Sequence, residues 1–246
     1  RVISGVSTNN STGCMIIPAG PTEHRGGRGR GLFAGGNPNT NVIQFITISS
    51  AGNAEDFGDL TQARSAPATA SSSTRGIRAG GNPNTDTMDY VTISEKGNAF
   101  DFGDLTEARR QFGGCSNGTR GVFFGGLIPS PNRSSATIDH VTISTIANAQ
   151  GFGDLIREAQ ANTAASDPTR GLVFGAYSQQ NSASYNIIQY VTIATLGNSQ
   201  DFGDLSVPRY AVASLSSVTR AITGGGYDAT TYYNIIEYVT IQTLGD

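Results

Sequence analysis

The chain has 246 residues, a formal net charge of −3 and only 14% charged residues. Such a charge builds no basic field for nucleic acid, and no run of about 18 apolar residues is present to span a bilayer as a helix. Two histidines and two cysteines leave little material for a metal centre, while 32 glycines suit many short strands joined by tight turns.

Residues 1–29 read as a divergent segment with two apolar stretches, Val2–Val6 and Cys14–Pro18. Arg1-Val2-Ile3-Ser4 lacks the apolar core of a signal peptide. From Arg30 onward one pattern repeats five times. Each copy opens on an arginine before a short apolar strand ending in glycine, as in Arg30-Gly-Leu-Phe-Ala-Gly-Gly36, with further copies starting at Arg75, Arg120, Arg170 and Arg220. A second landmark is a ring residue before a β-branched run: Phe45, Tyr90, His140, Tyr190 and Tyr238. The third is Phe-Gly-Asp-Leu, led by Phe57, Phe102, Phe152 and Phe202. From ring residue to Phe-Gly-Asp-Leu is always 12 residues, and from there to the next arginine always 18. Only the step from arginine to ring residue varies, at 15, 15, 20, 20 and 18. Constant spacing marks packed elements, and the variable step marks exposed loops.

Each copy predicts four strands: a (around Ala66–Ser72), b (Gly31–Ala34), c (Val42–Ile48) and d (Glu55–Leu60). Strand c alternates with period two, and strand a is rich in alanine and serine, as a crowded inner strand requires. Four strands every 45–50 residues predict an all-β fold, a five-bladed β-propeller of four antiparallel strands per blade, forming one domain over residues 1–246. Four d strands serve five blades, so Val2–Val6 is expected as the d strand of the last blade, closing the ring, and Cys14–Pro18 as strand a of the first; the alternative is that the chain is a piece of a longer array.

The glycine pair after strand b and the aromatic-led strand c resemble the kelch repeat, over about Arg30 to Asp246, with the phenylalanines of strand d in the packing role of the missing tryptophan. More closely, Gly52–Arg64 and Gly97–Arg109 resemble repeats in structural proteins of tailed phages and other large viruses of aquatic microbes. That resemblance implies a virion component, such as a tail fibre, spike or decoration, and a virion or extracellular location. It also implies a partner that is another protein of the assembly or a surface glycan.

No residue pattern points to catalysis or to a cofactor. Asp-Phe-Gly at Asp56, Asp101 and Asp201 lacks every other part of a kinase site. Asp59, Asp104, Asp154 and Asp204 recur in every d strand, as do Arg75, Arg120, Arg170 and Arg220 at strand b, so both sets read as architecture. The expected role of the aspartates is a turn acceptor or a partner for the strand-b arginine. His140 reads as a packing substitution, and Cys115 as a small core residue. The b–c and d–a loops are expected on one face. The variable b–c loops carry Tyr177, Tyr185, Tyr227, Tyr232 and Tyr233 among Asn, Gln, Ser and Thr, with Asn132 and Arg133 in the third. Tyrosine offers a rigid apolar face and a hydroxyl at low entropy cost, so these residues are the expected ligand contacts. Two other readings stay open: a soluble five-bladed lectin and a kelch-type scaffold. A homo-oligomer is compatible with each.

Overall fold

The computed structural model describes the backbone of residues 7–10 and 13–16, and residues 29–245 in full. Val2–Val6, expected as a closing strand, lies outside the described residues. Every described element is a strand, and every pairing is antiparallel.

The described strands form five successive sheets and two separate two-stranded hairpins. The first runs β1 (Ser7–Asn10), β2 (Gly13–Ile16), β3 (Arg30–Ala34), β4 (Thr40–Thr47) and β5 (Glu55–Arg64). The second is β6 (Ala68–Ser71), β7 (Arg75–Ala79), β8 (Thr87–Thr92) and β9 (Phe100–Asp104). In the third, a hairpin of β12 (Leu127–Ile128) and β13 (Arg133–Ser134) interrupts the order β10 (Gly113–Ser116), β11 (Arg120–Phe124), β14 (Thr137–Thr142), β15 (Gln150–Asp154). The fourth repeats that plan with β16 (Thr163–Ser166), β17 (Arg170–Phe174), β20 (Ile187–Thr192) and β21 (Gln200–Asp204) around the hairpin β18 (Ala176–Ser178) and β19 (Ala183–Tyr185). The fifth has three strands, β22 (Ala213–Ser216), β23 (Arg220–Gly224) and β24 (Ile236–Thr240). The expected strands a, b, c and d are therefore present in the first four sheets. Strand a of the first sheet is β2, which overlaps the expected Cys14–Pro18 region. β1 is an element that the repeat does not announce.

The a strands of successive sheets touch in order, β2 on β6, β6 on β10, β10 on β16 and β16 on β22, and β1 meets β22, β16, β10 and β6. Their serines explain the alanine/serine composition. Ser116 donates its hydroxyl to the carbonyl of Ser71 (2.6 Å), Ser166 to Ser116 (2.9 Å) and Ser216 to Ser166 (2.7 Å). A second chain of bonds runs through backbone in the left-handed region: Gln111 N–H donates to Ala66, Ala161 to Gln111 and Ala211 to Ala161. Small side chains let the strands approach closely enough for both chains to form, and each satisfied buried polar group avoids a desolvation cost of about 1–3 kcal/mol.

The core lies between sheets. Met88 and Phe102 of the second sheet pack with Val141 and Ile143 of the third, and Phe202 of the fourth with Val239 and Ile241 of the fifth. The signature Phe-Gly-Asp-Leu now has a physical account. The phenylalanine is buried and meets the ring at the head of strand c edge-on, at 6.1 Å for Phe45–Phe57, 6.0 Å for Tyr90–Phe102, 5.8 Å for His140–Phe152 and 6.1 Å for Tyr190–Phe202. The glycine has no room for a side chain: a Cβ on Gly58, Gly103 or Gly153 would collide with the c–d loop of the next sheet, at Gly97, Ala147 or Gly197. The aspartate contributes its backbone. Asp59, Asp104 and Asp154 each donate N–H to a loop asparagine, Asn98, Asn148 or Asn198, at 3.0–3.1 Å.

The strand-b arginines do not find the d-strand aspartates that the sequence suggested as one partner. Arg30, Arg75, Arg120 and Arg170 reach into the next sheet and donate to the carbonyls of Ile93, Ile143, Ile193 and Ile241 at 2.8–3.0 Å. Arg30, Arg75, Arg170 and Arg220 also lie over the strand-c rings of Phe45, Tyr90, Tyr190 and Tyr238 at 4.4–5.0 Å. A carbonyl wins because the sheet-to-sheet contact already places one at each of these guanidinium groups. The buried charge pairs use other residues: Arg64 with Asp89, Arg109 with Asp139 and Arg209 with Glu237.

Candidate binding face

Successive sheets are joined at one face by a repeated backbone bridge between a residue just after strand d and the first residue of the next b–c loop. The bridges are Ser65 with Asn82, Arg110 with Leu127, Gln160 with Tyr177, and Tyr210 with Tyr227. The d–a and b–c connections therefore share a face, as expected, and the same backbone frame presents different side chains at each step.

At the last two steps the frame turns aromatic. Tyr210 and Tyr227 exchange both backbone hydrogen bonds at 2.9 Å, and Tyr227 also bridges Tyr232. Four rings follow in a row: Tyr177 to Tyr210 at 5.0 Å, Tyr210 to Tyr227 at 5.5 Å, and Tyr227 stacked on Tyr232 at 4.6 Å. Tyr232 ends the row with 84% of its surface exposed. Partial burial, with Tyr227 and Tyr177 alongside, pushes the Tyr210 phenol above its ordinary range, so it remains a donor.

The turn beside the row is held by Asp228. Its carboxylate accepts the Tyr233 hydroxyl at 2.6 Å and the backbone N–H groups of Thr230 and Thr231. The Tyr233 hydroxyl and these turn bonds hold the Asp228 carboxyl well below the usual carboxylate range. Tyr233 thus has its hydroxyl committed to the turn and is a support for Tyr232.

Tyr185 belongs to a separate polar cluster. Asn181 donates to its hydroxyl at 3.0 Å and to Glu158 at 2.9 Å, and the Arg157 guanidinium lies over its ring at 5.1 Å. The third b–c hairpin docks on the fourth: Ser134 N–H donates to Gln180 at 2.8 Å, and the Ser134 hydroxyl to the Tyr177 carbonyl at 3.1 Å. Asn132 and Arg133 sit exposed at that hairpin's turn, with Asn132 in the left-handed region, and neither joins the tyrosine row. The structure therefore unites Tyr177, Tyr227 and Tyr232 of the expected contacts and adds Tyr210. That residue was readable in principle, because the face was expected to include the d–a connections, where it follows Arg209.

The remaining reactive groups are structural. Cys115 is a free buried thiol whose pKa burial pushes up to about 12, so it stays protonated. His140 packs edge-on against Phe152, and burial with the nearby Arg120 charge lowers its pKa, making it a neutral ring in the aromatic position. Among the described residues no three His, Cys, Asp or Glu side chains group as metal ligands. No protein-family model matches the chain, and no curated protein matches it.

Proposed function

We propose that this chain is a five-bladed, kelch-like β-propeller and a non-catalytic binding module of a virion, a fibre, spike or decoration, that meets a host-surface glycan or another virion protein through its b–c face. Five successive sheets whose a strands touch in order from β2 to β22, with β1 against four of them, support the ring. The virion setting rests on the resemblance carried by Gly52–Arg64 and Gly97–Arg109. The non-catalytic reading is supported by the committed state of His140 and Cys115.

The observation that carries the binding role is the row Tyr177–Tyr210–Tyr227–Tyr232. Aromatic faces ending in hydroxyls suit sugar rings and protein surfaces alike. A lectin with equivalent sites in every blade fits less well, because the bridge positions differ at every step. The test is binding to a glycan array and to isolated virion proteins by the chain and by a variant with all four tyrosines changed to alanine. The expected result is a ligand whose affinity falls at least about tenfold, roughly 1.4 kcal/mol, in a variant that melts normally. Equal binding by both proteins sinks the assignment of this face.

A further inference from the structure

In the first four sheets the ring residue of strand c faces the first residue of strand d across the ladder. The facing pairs are Phe45 with Glu55, Tyr90 with Phe100, His140 with Gln150 and Tyr190 with Gln200. Beyond each of the last three pairs the c–d loop swings away to hydrogen-bond the d strand of the preceding sheet, through the N–H groups of Ala99, Ala149 and Ser199. Beside the first two pairs the chain's own side chains take the space. Lys96 lies over the Phe45 ring at 4.7 Å and pairs with Glu55 at 3.1 Å, and Phe100 lies against Tyr90 at 5.8 Å. Beside the last two pairs there is a cavity, of about 190 Å³ in the third sheet and about 440 Å³ in the fourth. The same positions bound both: His140, Thr142, Asn148 and Gln150 in one, Tyr190, Thr192, Asn198 and Gln200 in the other.

Both cavities are polar without being charged. No charged side chain lines either among the described residues, and the His140 ring is neutral. Arg120 and Arg170 of the same two sheets spend their guanidinium groups on carbonyls of the next sheet. Asn148 and Asn198 use their side-chain oxygens to accept the N–H of Asp104 and Asp154, at 3.1 and 3.0 Å, which leaves their amide nitrogens as donors. The hydroxyls of Thr142 and Thr192 can donate or accept, and so can the amides of Gln150 and Gln200. In the fourth sheet the Tyr190 hydroxyl donates to Gln200, which holds the ring at the rim.

We propose that these two cavities are binding sites for a neutral sugar residue, one in the third sheet and one in the fourth. An aromatic wall takes the apolar face of the sugar ring, and the threonine hydroxyl, asparagine amide and glutamine amide meet its hydroxyls. The two filled sheets are the internal template. Where the ring residue faces glutamate, an ammonium fills the space, and where it faces phenylalanine, the second ring does. Where it faces glutamine, the matching guest is flat on one side and carries hydroxyls around its edge. An anionic sugar would lose hydration there and gain no counter-charge. The sites lie at the opposite end of strand c from the b–c loops, so they depend neither on the tyrosine row nor on a closed ring.

The probes are galactose, glucose, mannose and N-acetylglucosamine, titrated one by one into the isotope-labelled full chain and followed by NMR at the backbone amides. N-acetylneuraminic acid and glycerol are the contrasts. At least one neutral sugar should shift amides of residues 140–150 and 190–200 saturably. Gln150→Phe and Gln200→Phe copy the contact that Phe100 makes in the second sheet. Each should abolish the shifts in its own sheet alone, at an unchanged melting temperature. Thr192→Val removes one exposed hydroxyl and should weaken the fourth-sheet site about three- to tenfold. Changing the four tyrosines of the row to alanine should leave these shifts as they are, which separates this proposal from the role of the b–c face. No shift with any of the four sugars overturns the proposal. So does a response to N-acetylneuraminic acid or glycerol that matches the best neutral sugar, and so do shifts that survive both phenylalanine variants.

Discussion

Two sheet boundaries solve one packing problem with different chemistry. Between the second and third sheets, the fully buried Arg109 donates to Asp139 at 2.8 Å and to the Thr137 carbonyl at 2.9 Å, and Asp139 also accepts the Thr106 hydroxyl at 2.7 Å. Between the third and fourth sheets, Ala159 stands where Arg109 does, and Gln189 where Asp139 does. Gln189 accepts from Ile156 N–H and the Ser199 hydroxyl, both at 2.8 Å. The first and last boundaries keep the charged form, as Arg64–Asp89 and Arg209–Glu237. Arginine and acid are thus present together or absent together. Removing one partner leaves an uncompensated buried charge, whereas exchanging both leaves every polar group satisfied.

The comparison breaks most sharply at Asp139. Asp139→Ala should cost about 3–5 kcal/mol in denaturant unfolding, since the buried Arg109 then loses its hydrogen-bonded carboxylate and keeps only the more distant Glu107, at 3.7 Å. A loss under about 1 kcal/mol would mean that water reaches the guanidinium. Transplanting the neutral boundary sharpens the point. The double variant Arg109→Ala with Asp139→Gln should be clearly more stable than Asp139→Ala alone, despite removing more atoms, and additive losses would refute the idea of a unit.

The smallest expected effect is a pH slope at the fifth sheet. Burial alone would raise the Glu237 pKa, but hydrogen bonds from Ser206 and the Arg209 charge outweigh it, and the carboxyl titrates below its ordinary range. A folded-state pKa below the unfolded one gives stability that is fully present above about pH 4.3 and fades as the pH falls toward the folded value. Glu237→Gln should remove part of that acid-side slope in melting curves between about pH 5 and pH 3. An unchanged slope would assign the acid sensitivity to another carboxyl, such as Asp167, which hydrogen bonds also hold below its range.

Much of the fold was legible because the repeat is a local signal. The buried phenylalanines, the alternating strand c and the serine-bearing strand a all follow from spacing and residue type. The reason for Gly58 was not legible, since what it avoids is the Gly97 carbonyl in the next sheet. The carbonyl partners of the strand-b arginines were not legible either, since they lie more than sixty residues away. At the candidate site, Tyr177, Tyr227 and Tyr232 were visible as tyrosines in variable loops. Tyr210 was missed because its counterparts Ser65, Arg110 and Gln160 share no chemistry with it.

By itself the sequence determined the period, the all-β class, the order of strands in each copy and the loops that vary, because hydrophobic alternation and turn chemistry act over a few residues. Tertiary structure alone decided which arginine meets which acid and which four tyrosines form a row. Those are contacts between sheets, set by how whole faces pack against one another, and a linear spacing carries no record of which neighbour a side chain meets.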